Sequence, residues 1–184
     1  MLKFAFGFFV AMILSFVGTG VYLGYYKSVD TSIATPVELH LLGKEVNGPY
    51  HLVNKTIEEV ESFTKAQNIP CPRSFGMYFD NPEIVEAEKL RSFVGCVIDE
   101  ELAVTPEGFK QESPKIEKAY MATFTGSPAL GPLKIYPDAR DWFEKNKLVF
   151  PYTLEIYRIN DSQFKTEYIF PIPIEKVIPE TLKL

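Results

Sequence analysis

The chain has 184 residues and a formal net charge of −5, enough for one globular domain with a real core and too few for two. Its lysines and arginines are scattered rather than gathered into a basic stripe, which argues against a nucleic-acid partner. Two histidines and two cysteines, with no C-x-x-C and no Cys/His spacing suited to zinc, argue against a metal site or a His-activated nucleophile, and no cofactor is expected.

From Phe4 to Tyr26 no charged residue occurs. As a helix this run covers roughly 30 Å, the thickness of a hydrocarbon core. Tyr22, Tyr25 and Tyr26 close it with rings that favour an interface. Residues 1–26 are therefore expected to form a transmembrane anchor that meets the lipid bilayer through residues 4–26. A cleaved signal peptide is the competing reading, disfavoured by the length of the run and the lack of an A-x-A cleavage pattern. The anchored reading makes this a single-pass membrane protein, in the endoplasmic reticulum if eukaryotic and in the inner membrane if bacterial. Gly20 and Gly24 form a small-xxx-small pair, most simply two ordinary glycines of that helix.

Residues 27–36 read as a polar tether, and a domain is expected over 37–174, followed by a short tail at 175–184. Val37 to Lys44 alternates as a strand, and Asn47-Gly48-Pro49 is a turn. Thr56 with Glu59 has capping-box spacing. Ile57, Val60, Phe63 and Ala66 then recur at helical intervals until Pro70. Phe75 to Phe79 and Ser92 to Ile98 are strands around the loop at Asp80-Asn81-Pro82. Asp99 to Glu117 is acidic and aperiodic, a connection between halves. A strand at Lys118 to Thr125 follows. Pro137 suits the first turn of a second helix with Ala139, Trp142 and Phe143 on its apolar face. Thr153 to Ile159 and Phe164 to Ile169 close the domain. Cys71 and Cys96 are expected as reduced thiols, with a disulfide as the alternative for an exported domain.

Gly48 and Gly126, Phe63 and Trp142, and Tyr78 and Tyr157 recur at an offset of 78 or 79 residues. A near-constant offset across strand, helix and strand signals an internal duplication. A binding site is then expected at the seam. Alternation places Glu155 and Tyr157 on one face of their strand, with Leu154 and Ile156 on the other. The apolar pair is expected to meet the helices, leaving Glu155 and Tyr157 on the opposite face, joined by Glu167 if the hairpin register allows it. A carboxylate there among aromatic rings suits a cationic ligand. Two carboxylates together could instead divide acid and base roles. The plainer reading of each glutamate is a solvated strand residue, and of Trp142 a core residue.

Tyr78-Phe-Asp80-Asn81-Pro82, Lys89-Leu-Arg91 and Gly95 resemble the first-half signature of the GyrI-like small-molecule-binding superfamily. Leu154-Glu155-Ile156-Tyr157 and Thr166-Glu167-Tyr168-Ile169-Phe170-Pro171 resemble its second-half signature. The resemblance implies an α+β fold of two strand-helix-strand-strand repeats, a curved antiparallel sheet with its helices on one face. It also implies that Glu155 is a pocket residue, with Tyr157, Glu167, Tyr78 and Trp142 as further ligand-binding candidates. The leading expectation is a membrane-anchored binding domain for a small cationic or apolar ligand rather than an enzyme. The apolar run combined with this domain, through Tyr78-Phe-Asp-Asn-Pro82, Ala122-Thr-Phe124 and Pro151-Tyr-Thr-Leu-Glu-Ile-Tyr157, also resembles membrane-anchored members that serve in reticulophagy. This gives the first alternative, an adaptor in ER turnover with a protein partner. The second is a small-molecule hydrolase using Glu155, Glu167 and a nearby aromatic residue.

Overall fold

A computed structural model describes residues 2–35, 37–160 and 163–173. The tail at 175–184, and Asp161 and Ser162 in the loop between the last two strands, lie outside the described residues. In chain order the elements are α1 (Leu2–Leu23), β1 (Asp30–Ala34), β2 (His40–Asn47), α2 (Val53–Ala66), β3 (Arg73–Tyr78), β4 (Arg91–Ile98), β5 (Lys110–Glu112), β6 (Ala119–Thr125), α3 (Gly131–Lys145), β7 (Thr153–Asn160) and β8 (Gln163–Pro171). The strands form one eight-stranded sheet in the order β1-β6-β8-β7-β3-β4-β2-β5, with every pairing antiparallel. The α+β class and the doubled strand-helix-strand-strand plan are thus as expected. Each unit, β2-α2-β3-β4 and β6-α3-β7-β8, contributes three adjacent strands, and the units meet at β3 and β7.

The register at that seam locates the pseudo-symmetry. Gly76 lies opposite Glu155, Tyr78 opposite Thr153 and Ser74 opposite Tyr157. The 79-residue offset that relates Tyr78 to Tyr157 also relates Gly76 to Glu155. The pseudo-twofold axis therefore passes through the Gly76–Glu155 pair.

Both helices pack on one face, and their buried positions recur at helical spacing. In α2 these are Val53, Ile57, Val60 and Thr64, and in α3 they are Gly131, Ile135, Ala139 and Phe143. Each large apolar side chain among them stabilises the fold by roughly 1.5–3 kcal/mol. Beneath α3 lie Tyr120, Ala122, Phe124, Tyr168 and Phe170. Beneath α2 lie Leu42, Cys96, Ile98 and Val94. The other face holds a second core of Leu41, Phe75, Met77, Phe93, Leu154, Ile156 and Ile169, packed with Leu39 and Ile116. Those last two come from connecting segments joined by the Val37–Ile116 bridge. The acidic connection thus does more than link the halves: it supplies β5 and roofs this second core.

Several expectations require correction. Among the described residues no helix is long and apolar enough to cross a membrane. The transmembrane anchor over 1–26, the bilayer contact of residues 4–26 and the single-pass membrane localisation are therefore not supported. The run from Phe4 to Tyr26 is not one helix. α1 ends at Leu23, Gly24 turns the chain at φ +83°, and the Tyr25 N–H folds back onto the Gly20 carbonyl at 2.8 Å. Lys3, Ser15, Thr19 and three glycines also interrupt its apolar character. The adaptor in ER turnover, which was read together with such an anchor, is not shown by any observation of this structure. Asp30–Ala34, read as tether, is strand β1 on β6. Thr56 does not cap a helix, because α2 begins at Val53 without a side-chain cap. Pro137 lies inside α3, whose first turn instead holds Pro132. Cys71 and Cys96 are joined by a disulfide with Cα atoms 5.4 Å apart, tying the segment after α2 to the middle of β4.

Candidate functional site

The central strands β3 and β7 run along the floor of the groove between α2 and α3. Alternation sends Phe75, Met77, Leu154 and Ile156 into the second core. Their neighbours Gly76, Tyr78, Glu155 and Tyr157 therefore rise on the helix side. This reverses the expected facing: the apolar pair of β7 meets the roofed core, and the carboxylate meets the helices. Sequence alternation defines two faces of a strand but not which one the helices cover, and here both are buried.

Glu155 is 6% exposed. Its Oε1 accepts a hydrogen bond from Tyr136 Oη at 2.8 Å, and its Oε2 accepts one from Tyr157 Oη at 3.0 Å. Tyr157 Oη also lies 2.9 Å from Tyr78 Oη. Because the single hydroxyl proton of Tyr157 is given to Glu155, Tyr78 must be the donor in that contact. A relay thus runs Tyr78 to Tyr157 to Glu155, and its two tyrosines are the pseudo-twofold mates. Tyr50, just ahead of α2, stacks at a tilt on Tyr78 with ring centroids 4.7 Å apart.

Glycine makes this arrangement possible. A Cβ on Gly76 would lie 2.5 Å from Tyr78 Oη, so the ring folds back over the bare backbone directly opposite Glu155. Gly131 does the same for Tyr168, whose hydroxyl would meet a Cβ there. Tyr168 is the cross-strand neighbour of Glu155. It is fully buried, and its hydroxyl has no hydrogen-bond partner among the described residues.

The electrostatics follow from burial. Desolvation raises the Glu155 carboxyl to about 7, against the lowering effect of hydrogen bonds from Tyr136 and Tyr157. Burial and the nearby carboxylate push Tyr78, Tyr136 and Tyr157 above the ordinary phenol value. All three hydroxyls stay neutral donors at physiological pH. Near neutrality Glu155 is poised between a protonated acid and an anion stabilised by the hydroxyl dipoles of Tyr136 and Tyr157.

Of the sequence-nominated residues, the structure brings together Glu155, Tyr157 and Tyr78. Glu167 stands apart on the other face, where its carboxylate meets Arg158 at 3.3 Å and Lys165 at 3.5 Å. The pairing of two carboxylates for acid and base roles is therefore not formed. Trp142 lies on the outer flank of α3 over Tyr120 of β6, ring centroids 5.4 Å apart. Tyr136 was not anticipated. It sits three residues before Ala139, at helical spacing, but a helix expected to start at Pro137 leaves it in a loop. Among the described residues no cluster of ligating side chains could hold a metal ion.

The fold has counterparts among known proteins. The family model of the GyrI-like small molecule binding domain matches residues 30–173. EcmrR in its complex with DNA is similar at TM-score 0.60 and 17% identity, over 89% of this chain and 65% of that one. The isolated EcmrR C-terminal domain is similar at TM-score 0.57 and 20% identity, over 79% of this chain and 97% of that domain. A hydrolase from Listeria innocua is similar at TM-score 0.51 and 10% identity, over 78% of this chain and 92% of that one. At such identities these likenesses concern the fold. No match was found among proteins of curated function. The family model spans most of the chain, and its doubled units meet at the Glu155 groove: this chain belongs to the GyrI-like small-molecule-binding domain family.

Proposed function

We propose that the groove between α2 and α3 binds a small organic cation with aromatic or apolar bulk, and that Glu155 supplies its counter-charge. The observation that carries this reading is a buried carboxylate whose hydrogen-bond donors among the described residues are neutral tyrosine hydroxyls. An anion held by dipoles alone in a dry site gains strongly from a full positive charge, and the surrounding rings add cation–π attraction. The domain acts as a binding module. The hydrolase alternative is disfavoured because its second carboxylate, Glu167, faces the other core.

The test uses two probes of one ring system, N-methylacridinium and neutral acridine, titrated at pH 8 by fluorescence. The wild-type protein favours the cation by roughly tenfold or more, equivalent to about 1.4 kcal/mol. Glu155→Gln loses that preference while still taking up the neutral ring. Equal binding of both probes by the wild type, or a preference that survives Glu155→Gln, defeats the proposal.

A further inference from the structure

The two halves differ most where their last two strands join. In the second unit β7 and β8 are separated only by residues 161 and 162. In the first unit the chain leaves β3 at Tyr78 and returns to β4 at Arg91. The base of this longer loop is clamped. Arg91 donates to Asp80 through Nη2 at 2.7 Å and Nε at 3.0 Å, and the Arg91 N–H caps the same carboxylate at 2.8 Å. Tyr50 Oη donates to the Asp80 carbonyl and accepts from the Asp80 N–H, each at 2.9 Å. Within the loop, Asn81 Oδ1 accepts from the Glu83 N–H at 2.9 Å.

The loop reaches out of its own unit. Glu83 Oε2 lies 2.5 Å from Arg140 Nη1 of α3. Arg140 follows Tyr136 by four residues, so both stand on the inner flank of α3 one turn apart. That is the flank from which Tyr136 reaches Glu155. The sheet order places β7 between β8, beneath α3, and β3, which launches the loop. An ion pair joining α3 to the loop must therefore pass over the Thr153 end of β7, beside Glu155.

We infer that the segment 81–89 is a lid across one end of the Glu155 groove, and that the Glu83–Arg140 ion pair is its latch. The clamped base makes the lid pivot at Asp80 and Arg91 rather than unravel. Both latch residues are solvent-accessible, so the latch is weak and salt-sensitive. It sets how often the groove opens without setting what binds there. The inference rests on reading the groove as a ligand site, and its test has an arm that needs no ligand.

In Glu155→Cys protein the introduced thiol is labelled with 2-(trimethylammonio)ethyl methanethiosulfonate, with the wild-type chain as the unlabelled control. Adding Arg140→Ala speeds labelling roughly two- to fivefold, the range expected of an exposed ion pair. The charge exchange Glu83→Arg with Arg140→Glu returns the rate toward that of the parent. Should either variant fold poorly, 0.5 M NaCl added to the Glu155→Cys protein gives the same acceleration without touching the latch residues. Labelling indifferent to Arg140→Ala, or to salt where that variant fails to fold, overturns the lid. In the wild-type background the N-methylacridinium on- and off-rates rise together in Arg140→Ala, leaving Kd within about twofold. Labelling that responds while N-methylacridinium fails to bind leaves the lid standing and removes the proposed ligand. Binding with unaltered labelling does the reverse.

Discussion

Glu155→Gln is the perturbation with the most definite consequence for stability. Burial raises the carboxyl from its ordinary value of 4.5 to about 7. The folded state thus holds its proton more tightly than the unfolded chain. The stability contributed by this group is fully present below pH 4.5 and is lost as pH rises through 7. At about 1.36 kcal/mol per pH unit of displacement, the loss between pH 5 and pH 8 is about 2–3 kcal/mol. Glutamine keeps the shape and a hydrogen-bonding oxygen but cannot ionise, so it escapes this loss. Urea denaturation of both proteins at pH 5, 6, 7 and 8 should show the variant gaining on the wild type by that amount. Other titrating groups cancel in the difference. A difference that stays flat across the range, or that favours the wild type increasingly at pH 8, refutes the reasoning and places Glu155 in contact with water or a cation.

Tyr136→Phe removes one of the two donors to the carboxylate and should cost about 1–3 kcal/mol at pH 8 and less at pH 5, read by the same denaturation series. Reducing the Cys71–Cys96 bridge, which spans a separation of 25 residues, should lower stability by about 3 kcal/mol in urea with and without a reductant; the Cys71→Ser, Cys96→Ser double variant should be insensitive to it. Gly76→Ala must displace the Tyr78 ring, so near-ultraviolet circular dichroism should change and stability fall by about 1–3 kcal/mol. At Gly43 the added Cβ would lie 2.2 Å from the Val94 carbonyl oxygen. That obstacle is backbone, so Gly43→Ala should cost more than Gly76→Ala in the same denaturation assay.

The doubled plan was legible in the sequence because duplication leaves a mark that does not depend on local propensity. The 79-residue offset makes Tyr78 and Tyr157 equivalent positions of the two units, and across the seam their hydroxyls meet at 2.9 Å. The site was legible in part: alternation set Glu155 and Tyr157 on one face of their strand, while Tyr78 came from the family resemblance. It failed where helix boundaries mattered. Pro137 looks like a helix start and proves to be interior, so Tyr136 went unseen. Strand alternation also could not tell a helix-covered face from one roofed by connecting chain. Leu154 and Ile156 were therefore assigned to the wrong side. Glu167 was set beside Glu155 by an assumed hairpin register, but the register formed pairs Glu155 with Tyr168 and Ile156 with Glu167, so Glu167 faces away. The N-terminal run misled through composition alone, because an uncharged stretch does not reveal that Gly24 ends the helix.

Glu155 is a buried carboxyl raised to about 7, and a cation is its proposed partner. The most direct measurement is its side-chain carboxyl carbon chemical shift, followed by NMR from pH 4 to 9 with and without N-methylacridinium. The account predicts a midpoint at about 7 in the free protein. It also predicts a downward displacement of at least about one unit when the cation is bound, the reciprocal of its tighter binding to the ionised form. A free-protein midpoint at the ordinary carboxyl value, or one that the bound cation leaves unmoved, would contradict it.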